Sequence, residues 1–260
     1  MGSMKNLERA LSKARRADVS EAAGTAAGKL AEQAASDGLL DVAYTTLDSP
    51  VGPVLVAATQ RGLVRISFCS HYDPDDVLIE LSKQISPRVI EAPTYFDAVR
   101  KELGEYFEGR RTSFGLPLDW RLTGGFGRRV LKHTARIPYG KVSTYKEMAD
   151  AAGSPRAARA AGNALGSNPI PIVVPCHRVL HSGGGLGGYG GGLDNKVLLL
   201  KLEGAIGSDR GEDALASEGG KAPRSTASQF GASPRPPVAP RARRGRSQGP
   251  GSRGPSSRRG

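Results

Sequence analysis

The sequence predicts an α+β protein: a small antiparallel sheet with helices, followed by a mostly helical half that carries a cysteine. Two observations lead there. Between Asp41 and Phe68, three short runs rich in Val, Ile, Leu and Thr are separated by Ser-Pro-Val-Gly-Pro and Gln-Arg-Gly turn signals, the mark of an antiparallel meander. From Gly124 onward, apolar residues recur at helical spacing between recognisable start and stop residues. A chain of 260 residues has room for one large domain or two small ones.

In chain order, residues 5–38 are rich in Ala, Glu, Lys and Arg and read as one or two weakly amphipathic helices ending at Gly38. Cys69 directly follows the third strand and reads as a small buried hydrophobe. "DPDDVLIELSKQIS" opens on an Asp-Pro start and "TYFDAVRKELGEYFEG" ends in glycine, so both are expected to be helices. "TSFGLPLDW" reads as a further strand. In the second half, "FGRRVLKHTARI" is an amphipathic helix with Val130, Leu131 and Ile137 inward and its arginines outward. "STYKEMADAAG" has Thr144 and Glu147 at capping-box spacing and Gly153 as its stop. "SPRAARAAGNALG" restarts with Ser154 as N-cap and Pro155 at the first helical position. Two short helices joined through one Gly-Ser turn make a helix-turn-helix. Ala157, Ala158, Ala160, Ala161 and Gly162 keep the second helix slender while Arg156 and Arg159 project from it. Small residues also suit plain helix packing, but a slender helix with a protruding arginine can approach a groove closely. "LDNKVLLLKLEG" reads as a short amphipathic helix from Asp194.

The charge is uneven. From Arg224 to the end there are nine arginines and no acidic residue among Pro, Ser and Gly, too little apolar surface to offset ordering entropy, so this tail is expected to be disordered. Within residues 121–180, ten Lys and Arg stand against Glu147 and Asp150, leaving +8 on a segment that otherwise looks folded. Such a balance is an electrostatic footprint for phosphate backbones, though it also fits solvated surface. No apolar run suits a signal peptide or a membrane span, so no membrane partner and a cytoplasmic location (nucleoid-associated in a bacterium) are expected. Two cysteines make no disulfide framework.

Cys176 closes the run "NPIPIVVPC". Asn168-Pro169 and Ile170-Pro171 force extended backbone, Ile172-Val173-Val174 reads as a short buried strand, and Pro175 fixes the approach. A thiol near neutral pH is mostly protonated and only the thiolate attacks, so a nucleophilic cysteine needs a base or a positive neighbour. His177 and Arg178 follow at once. Adjacent residues on a strand point to opposite faces, and His177 could still take the proton through one water if the backbone turns there. The metal reading lacks a second cysteine pair, and His133 and His181 have no zinc spacing with Cys176. A papain-like arrangement is equally unsupported. The loop "GGGLGGYGGG" matches GxGxxG formally, but the preceding strand and the acidic residue of a dinucleotide site are missing, so neither that cofactor nor any other is expected. What remains is backbone able to approach a flat ligand, with Tyr189 to stack on it.

"NPIPIVVPCHRV", preceded by "SPRAARAAGNALGS" and followed by "GGYGGGLDNKVLLLKLEG", resembles the O6-alkylguanine-DNA alkyltransferases, or methylated-DNA–protein-cysteine methyltransferases. The match is dense from about Phe126 to Gly204 and looser over Asp41–Thr123. The resemblance implies a ribonuclease H-like N-terminal domain over 41–123 and a winged helix-turn-helix-like C-terminal domain over 124–207 that carries the cysteine. A helical or poorly ordered extension over 1–40 and the basic tail over 208–260 fall outside it.

It also implies a function: direct, single-turnover reversal of O6-alkylguanine, and of O4-alkylthymine, in double-stranded DNA. The helix-turn-helix would enter the minor groove and extrude the base, which is unreachable inside the stack. By the same resemblance Arg159 fills the vacated space, and Tyr145 turns the phosphate and bonds the base. Arg156, Ala158 and Arg178 join them on the DNA-binding side. Cys176 attacks the alkyl carbon, His177 accepts the thiol proton through a water, Glu203 polarises the histidine and Asn168 braces the site. Leu165, the Val179 carbonyl, Tyr189, the Gly190 amide and Lys196 line the pocket. Leu165 and Gly190 stand where the family varies, which bears on the size of alkyl group accepted. No zinc is expected, since the ligands of the family's N-terminal metal site are missing. A non-catalytic damage sensor of the alkyltransferase-like kind is the alternative, but such proteins replace the cysteine that is present here. A transcription regulator would need an effector domain. The basic tail is expected to add a nucleic-acid contact.

Overall fold

The computed structural model describes residues 41–207, together with the single helical residue Gln33. The expected helices of 5–38 and the disorder and nucleic-acid contact of the tail lie outside the described residues. The chain runs β1 (Val42–Leu47), β2 (Val54–Thr59), β3 (Gly62–Phe68), α1 (Pro74–Gln84), β4 (Val89–Glu91) and α2 (Asp97–Phe107). It continues through α3 (Gly125–Thr134), β5 (Ser143–Thr144), α4 (Tyr145–Ala151), α5 (Ala158–Gly166), β6 (Val179–Leu180) and α6 (Leu193–Leu202). Single 3-10 turns precede α2 (Pro93–Phe96) and α3 (Trp120–Leu122), and a third holds Cys176–Arg178.

The meander is present: β1 pairs antiparallel with β2, and β2 with β3. A fourth strand absent from the sequence reading, β4, pairs parallel to β1 and makes a mixed sheet of order β3-β2-β1-β4. Three residues offer too short a pattern to be heard. β2 is buried at all six positions because the sheet is covered on both faces. Val42, Leu55, Ala57 and Val64 pack with Val77 and Leu81 of α1. Ala43, Val54, Val56, Ala58, Ile66 and Phe68 point the other way, into one core with Val99 and Leu103 of α2 and with Val130, Ala161 and Val174 of the second half. Each buried Val, Leu, Ile or Phe among these contributes about 1.5–3 kcal/mol by leaving water.

β3 is an edge strand, and its free groups are occupied. The Leu63 amide donates to Pro117 O (2.8 Å), the Asp119 amide to Leu63 O (2.8 Å), and the Ile66 amide to Pro169 O (2.8 Å). The last bond moors the segment leading to Cys176 directly on the sheet. "TSFGLPLDW" is therefore not the strand its composition indicates but irregular chain with one bridge, Leu63 to Leu118. Gly115 and Pro117 deny it a regular ladder.

Two helix starts form as their signals predict. Asp73 caps α1, accepting from the Asp75 amide (2.9 Å), with Pro74 in the first turn. Thr144 and Glu147 form both halves of a capping box on α4, at 3.2 and 2.9 Å. Gly153 ends that helix with φ +78°. Three expectations are corrected. Ser154 is not an N-cap: residues 154–157 close a turn through the Ala157 amide and Ser154 O (2.9 Å), and α5 begins only at Ala158. Arg156 therefore lies on the turn, not on the helix. The residues 172–174 form no strand, because Pro169, Pro171 and Pro175 remove three ladder donors and the chain coils into successive turns. Finally, α6 is not amphipathic: Lys196, Val197, Leu199 and Leu200 are buried and Leu198 and Leu202 partly so, which makes it an interior helix.

Candidate active site

Cys176 opens a 3-10 turn, Cys176–His177–Arg178, all three residues buried. The turn replaces the expected strand, so the rule that neighbouring residues point to opposite faces does not apply to Cys176 and His177. The turn is held from both ends. Upstream, Asn168 donates from Nδ2 to Val174 O (2.8 Å) and to Cys176 Sγ (3.1 Å), while its Oδ1 accepts from the Ile170 amide (3.1 Å). Between these bonds Ile172 sits at φ +72°, a left-handed conformation that costs a β-branched residue about 1–3 kcal/mol. Downstream, β6 pairs parallel with β5, Ser143 to Val179 and Thr144 to Leu180. That two-rung ladder sets Tyr145, the first residue of α4, beside the strand leaving the cysteine.

Burial pushes the Cys176 thiol above its ordinary pKa, against the Asn168 hydrogen bond and the Lys196 charge. At rest the sulfur is a protonated thiol, and attack requires that a base take its proton. His177 is fully buried, and burial lowers its pKa against the opposing pull of Glu203. Its Nε2 lies 2.9 Å from Glu203 Oε1, and its Nδ1 has no partner. A carboxylate only accepts, so the neutral ring holds its proton on Nε2 and leaves Nδ1 as a free lone pair.

Glu203, just past the end of α6, is the hub. Arg178 grips it with two bonds, Nε to Oε2 and Nη2 to Oε1, both 2.8 Å. Tyr106 from α2 donates to Oε1 (2.6 Å), and the Gly140 amide to Oε2 (3.3 Å). Burial raises the carboxyl's pKa, but the bonds from His177, Arg178 and Tyr106 outweigh it and hold the pKa down to about 2. Glu203 is thus ionised throughout the physiological range.

The glycine loop forms the next wall. Tyr189 stands edge-on to His177 (ring centroids 6.3 Å apart) and to Phe68 (5.8 Å), with its hydroxyl buried and unpartnered. Gly191 is required by close approach: a Cβ there would lie 2.5 Å from the Phe68 ring. Gly187 is likewise pressed on the Tyr145 ring. Tyr145 also packs on His181, centroids 5.0 Å apart. Lys196 is wholly buried, its Nζ donating to Val179 O (2.9 Å) and to Leu186 O. Its charge ties the loop to β6, so it reads as the loop's clamp more than as pocket lining. Leu165 is buried in the core at the end of α5, and Gly190 lies against Gly166 O and the Tyr72 hydroxyl.

Arg159 and Arg156 are exposed and Ala158 is half-buried, on the solvent side of the helix-turn-helix. Arg178 does not join them. Its guanidinium is buried against Glu203, the Ile137 carbonyl and the Tyr139 ring, so its expected contact with DNA is corrected to a structural ion pair. Sequence reasoning missed Tyr106 altogether, since a tyrosine in an amphipathic helix 97 positions from its partner carries no local signal.

A mixed sheet moored to a helical half, a buried cysteine followed by a buried His-Glu pair and an exposed arginine on a slender helix define a protein built around a single thiol nucleophile. Residues 42–120 match the family model described as the 6-O-methylguanine DNA methyltransferase ribonuclease-like domain, and residues 125–205 that of its DNA binding domain. The methylated-DNA–protein-cysteine methyltransferase of Methanosarcina barkeri is 41% identical over 160 residues, covering 62% of this chain and 96% of that protein. The enzyme of that name from Mycolicibacterium paratuberculosis is 42% identical, covering 62% and 92%. Among solved structures, the Mycobacterium tuberculosis O6-methylguanine methyltransferase superposes with a TM-score of 0.55 at 39% identity, over 65% of this chain and 97% of that one. The same organism's OGT in complex with DNA gives 0.55 at 40%, over 62% and 92%. The chain belongs to the methylated-DNA–protein-cysteine methyltransferase family.

Proposed function

We propose that this protein repairs DNA by moving the alkyl group of O6-alkylguanine, and of O4-alkylthymine, onto Cys176 in a single irreversible turnover. The observation that carries the reading is the pairing of a buried protonated thiol, held by Asn168, with the next residue in the chain, a neutral histidine whose free Nδ1 is set by an ionised glutamate. In the step, His177 Nδ1 takes the thiol proton through one water. Sγ then forms a bond to the alkyl carbon as the carbon–O6 bond breaks. Its electron pair stays on the guanine, and the proton held by His177 is the one the base anion needs, so the reaction balances without a co-reactant. Asn168 holds the sulfur in line, and Lys196 keeps the Val179 carbonyl and the glycine loop in place around the base.

The DNA would be met by its minor groove. Arg159 on the slender helix would occupy the space the extruded base leaves, at an unstacking cost of a few kcal/mol. Tyr145 would turn the phosphate, with Arg156 and Ala158 alongside. The flipped base would enter between the Val179 carbonyl, Tyr189 and the Gly190 amide.

Mass spectrometry after incubation with a duplex containing O6-methylguanine tests the reading. The peptide holding Cys176 is expected to gain the mass of one CH2, stoichiometrically and once. Recovery of an unmodified Cys176 peptide beside an intact lesion refutes it, and binding without transfer would mark a damage sensor.

A further inference from the structure

Tyr106 belongs to α2, in the sheet-bearing half of the molecule, yet its hydroxyl ends on the carboxylate that serves the cysteine. The side chain is completely buried, edge-on to Tyr139 (centroids 6.1 Å) and tilted on Phe114 (5.3 Å), so the ring has no freedom to swing away. Its hydroxyl donates to Glu203 Oε1 at 2.6 Å, the same oxygen that accepts from His177 Nε2 at 2.9 Å and from Arg178 Nη2 at 2.8 Å. Three donors converge on one oxygen. We propose that Tyr106 is a positioning residue for alkyl transfer, which sets how much of the Glu203 charge reaches His177 and thereby couples the N-terminal sheet layer to thiol activation. This inference rests on the transfer function proposed above.

An imidazole that must accept a proton and then release it to the departing base works best with a proton affinity near the ambient value. A carboxylate paired to it alone raises that affinity and favours the imidazolium, which cannot act as base. The hydroxyl of Tyr106 and the guanidinium of Arg178 take part of the negative charge and hold the Oε1 lone pairs in fixed directions. Glu203 is faced by Tyr106, Tyr139, His177 and Arg178, and His177 by Glu203, Arg178 and Lys196. Arg178 and Lys196 depress the imidazole while Glu203 raises it. Deleting the phenol hydroxyl leaves the opposing cations in place and strengthens the one interaction that raises it.

The test is single-turnover alkyl transfer by the full chain as a function of pH, in the wild type and in Tyr106→Phe, with binding to the lesion duplex measured in parallel. Tyr106→Phe is expected to lower the neutral-pH rate about tenfold, the worth of one hydrogen bond to a charged group. The acid limb of its pH profile should move to higher pH, and its duplex affinity should be unchanged. In a Glu203→Gln background the same change should have no further effect on the rate. Tyr139→Phe, which loses a hydroxyl bonded to Leu202 O (2.9 Å) instead of the carboxylate, should leave the limb where it is. A wild-type pH profile in Tyr106→Phe, an equal loss in the Glu203→Gln background, or a matching limb shift in Tyr139→Phe would overturn the proposal. Nitrogen-15 spectra of the His177 ring in the wild type give a reading independent of any variant's folding, since a neutral ring protonated on Nδ1 would remove the route through Glu203. If the wild type itself transfers nothing, the function reading fails and not the role of Tyr106.

Discussion

Arg178 offers the sharpest contrast between a sequence motif and its place in the fold. In the run Pro-Cys-His-Arg it looks like a phosphate contact, but its guanidinium is 5% exposed as a residue and engages Glu203 through two bonds of 2.8 Å. Replacing it by Met keeps much of the volume and removes the charge. The change strands a buried carboxylate that retains only the tyrosine, histidine and amide donors, and breaking a buried pair in this way costs about 3–5 kcal/mol. A folded unit of this size shifts its melting temperature about 2–4 °C per kcal/mol, so Arg178→Met should melt at least about 6 °C lower. Urea denaturation, with the midpoint falling at unchanged m-value, gives the same quantity isothermally. Binding to undamaged duplex across a salt series should keep the wild-type slope, because no phosphate contact has been lost. If stability is unchanged while the slope of log K against log salt falls by about one, Arg178 faces DNA and the buried-pair assignment is wrong.

Iodoacetamide at neutral pH should label the partly buried Cys69 well before buried Cys176, and peptide mapping showing the reverse order would contradict the resting thiol described here. Arg159→Ala should weaken repair of duplex DNA far more than reaction with free O6-benzylguanine, and equal losses in both would remove Arg159 from base extrusion. Glu203 has its folded pKa depressed from 4.5 to about 2, so its stabilisation is complete above 4.5 and is lost as pH falls through that interval. The loss should amount to about 3 kcal/mol by linkage, and acid unfolding of Glu203→Gln should lack that portion of the pH dependence.

The parts of the fold legible in the sequence were those whose signals are local. The Thr144–Glu147 box, the Asp73 cap and the Gly153 stop each depend on side chains within four positions, and each forms as read. The Cys176–His177 pairing with Asn168 and Glu203 was legible through the family motif, while the shape of the turn was not. The run of Ile, Val and Val looks like a strand by composition, but its backbone is decided by three prolines and by the Asn168 bonds, and a β-branched residue ends in a left-handed conformation that no propensity scale predicts. Arg178 and Lys196 are assigned to the DNA side and the pocket by the resemblance alone, and nothing local in the sequence marks them as buried cations. Their partners, a carboxylate 25 positions on and carbonyls 10 and 17 positions back, are visible only once the chain has folded. Tyr106 was silent for the same reason.

The strain at Ile172 and the burial of Arg178, Lys196 and Glu203 serve one geometric end. A nucleophile used once has no need to be regenerated, but it must not react before a lesion arrives. A thiol whose pKa burial has raised meets that condition, because the attacking thiolate is scarce until the base and substrate are together. Burial alone would leave the sulfur free to shift, and the Asn168 bonds on one side and the β5–β6 ladder on the other prevent that. The ion pairs lower the cost of keeping a carboxylate in the core, where it can orient the histidine without water. Stability given up at Ile172 is recovered in the single core that the sheet layer and the helical half share, so the site is as rigid as the mooring of Pro169 on β3. On that account the sheet layer holds the geometry of the cysteine's approach and is not an appendage to a DNA-binding domain.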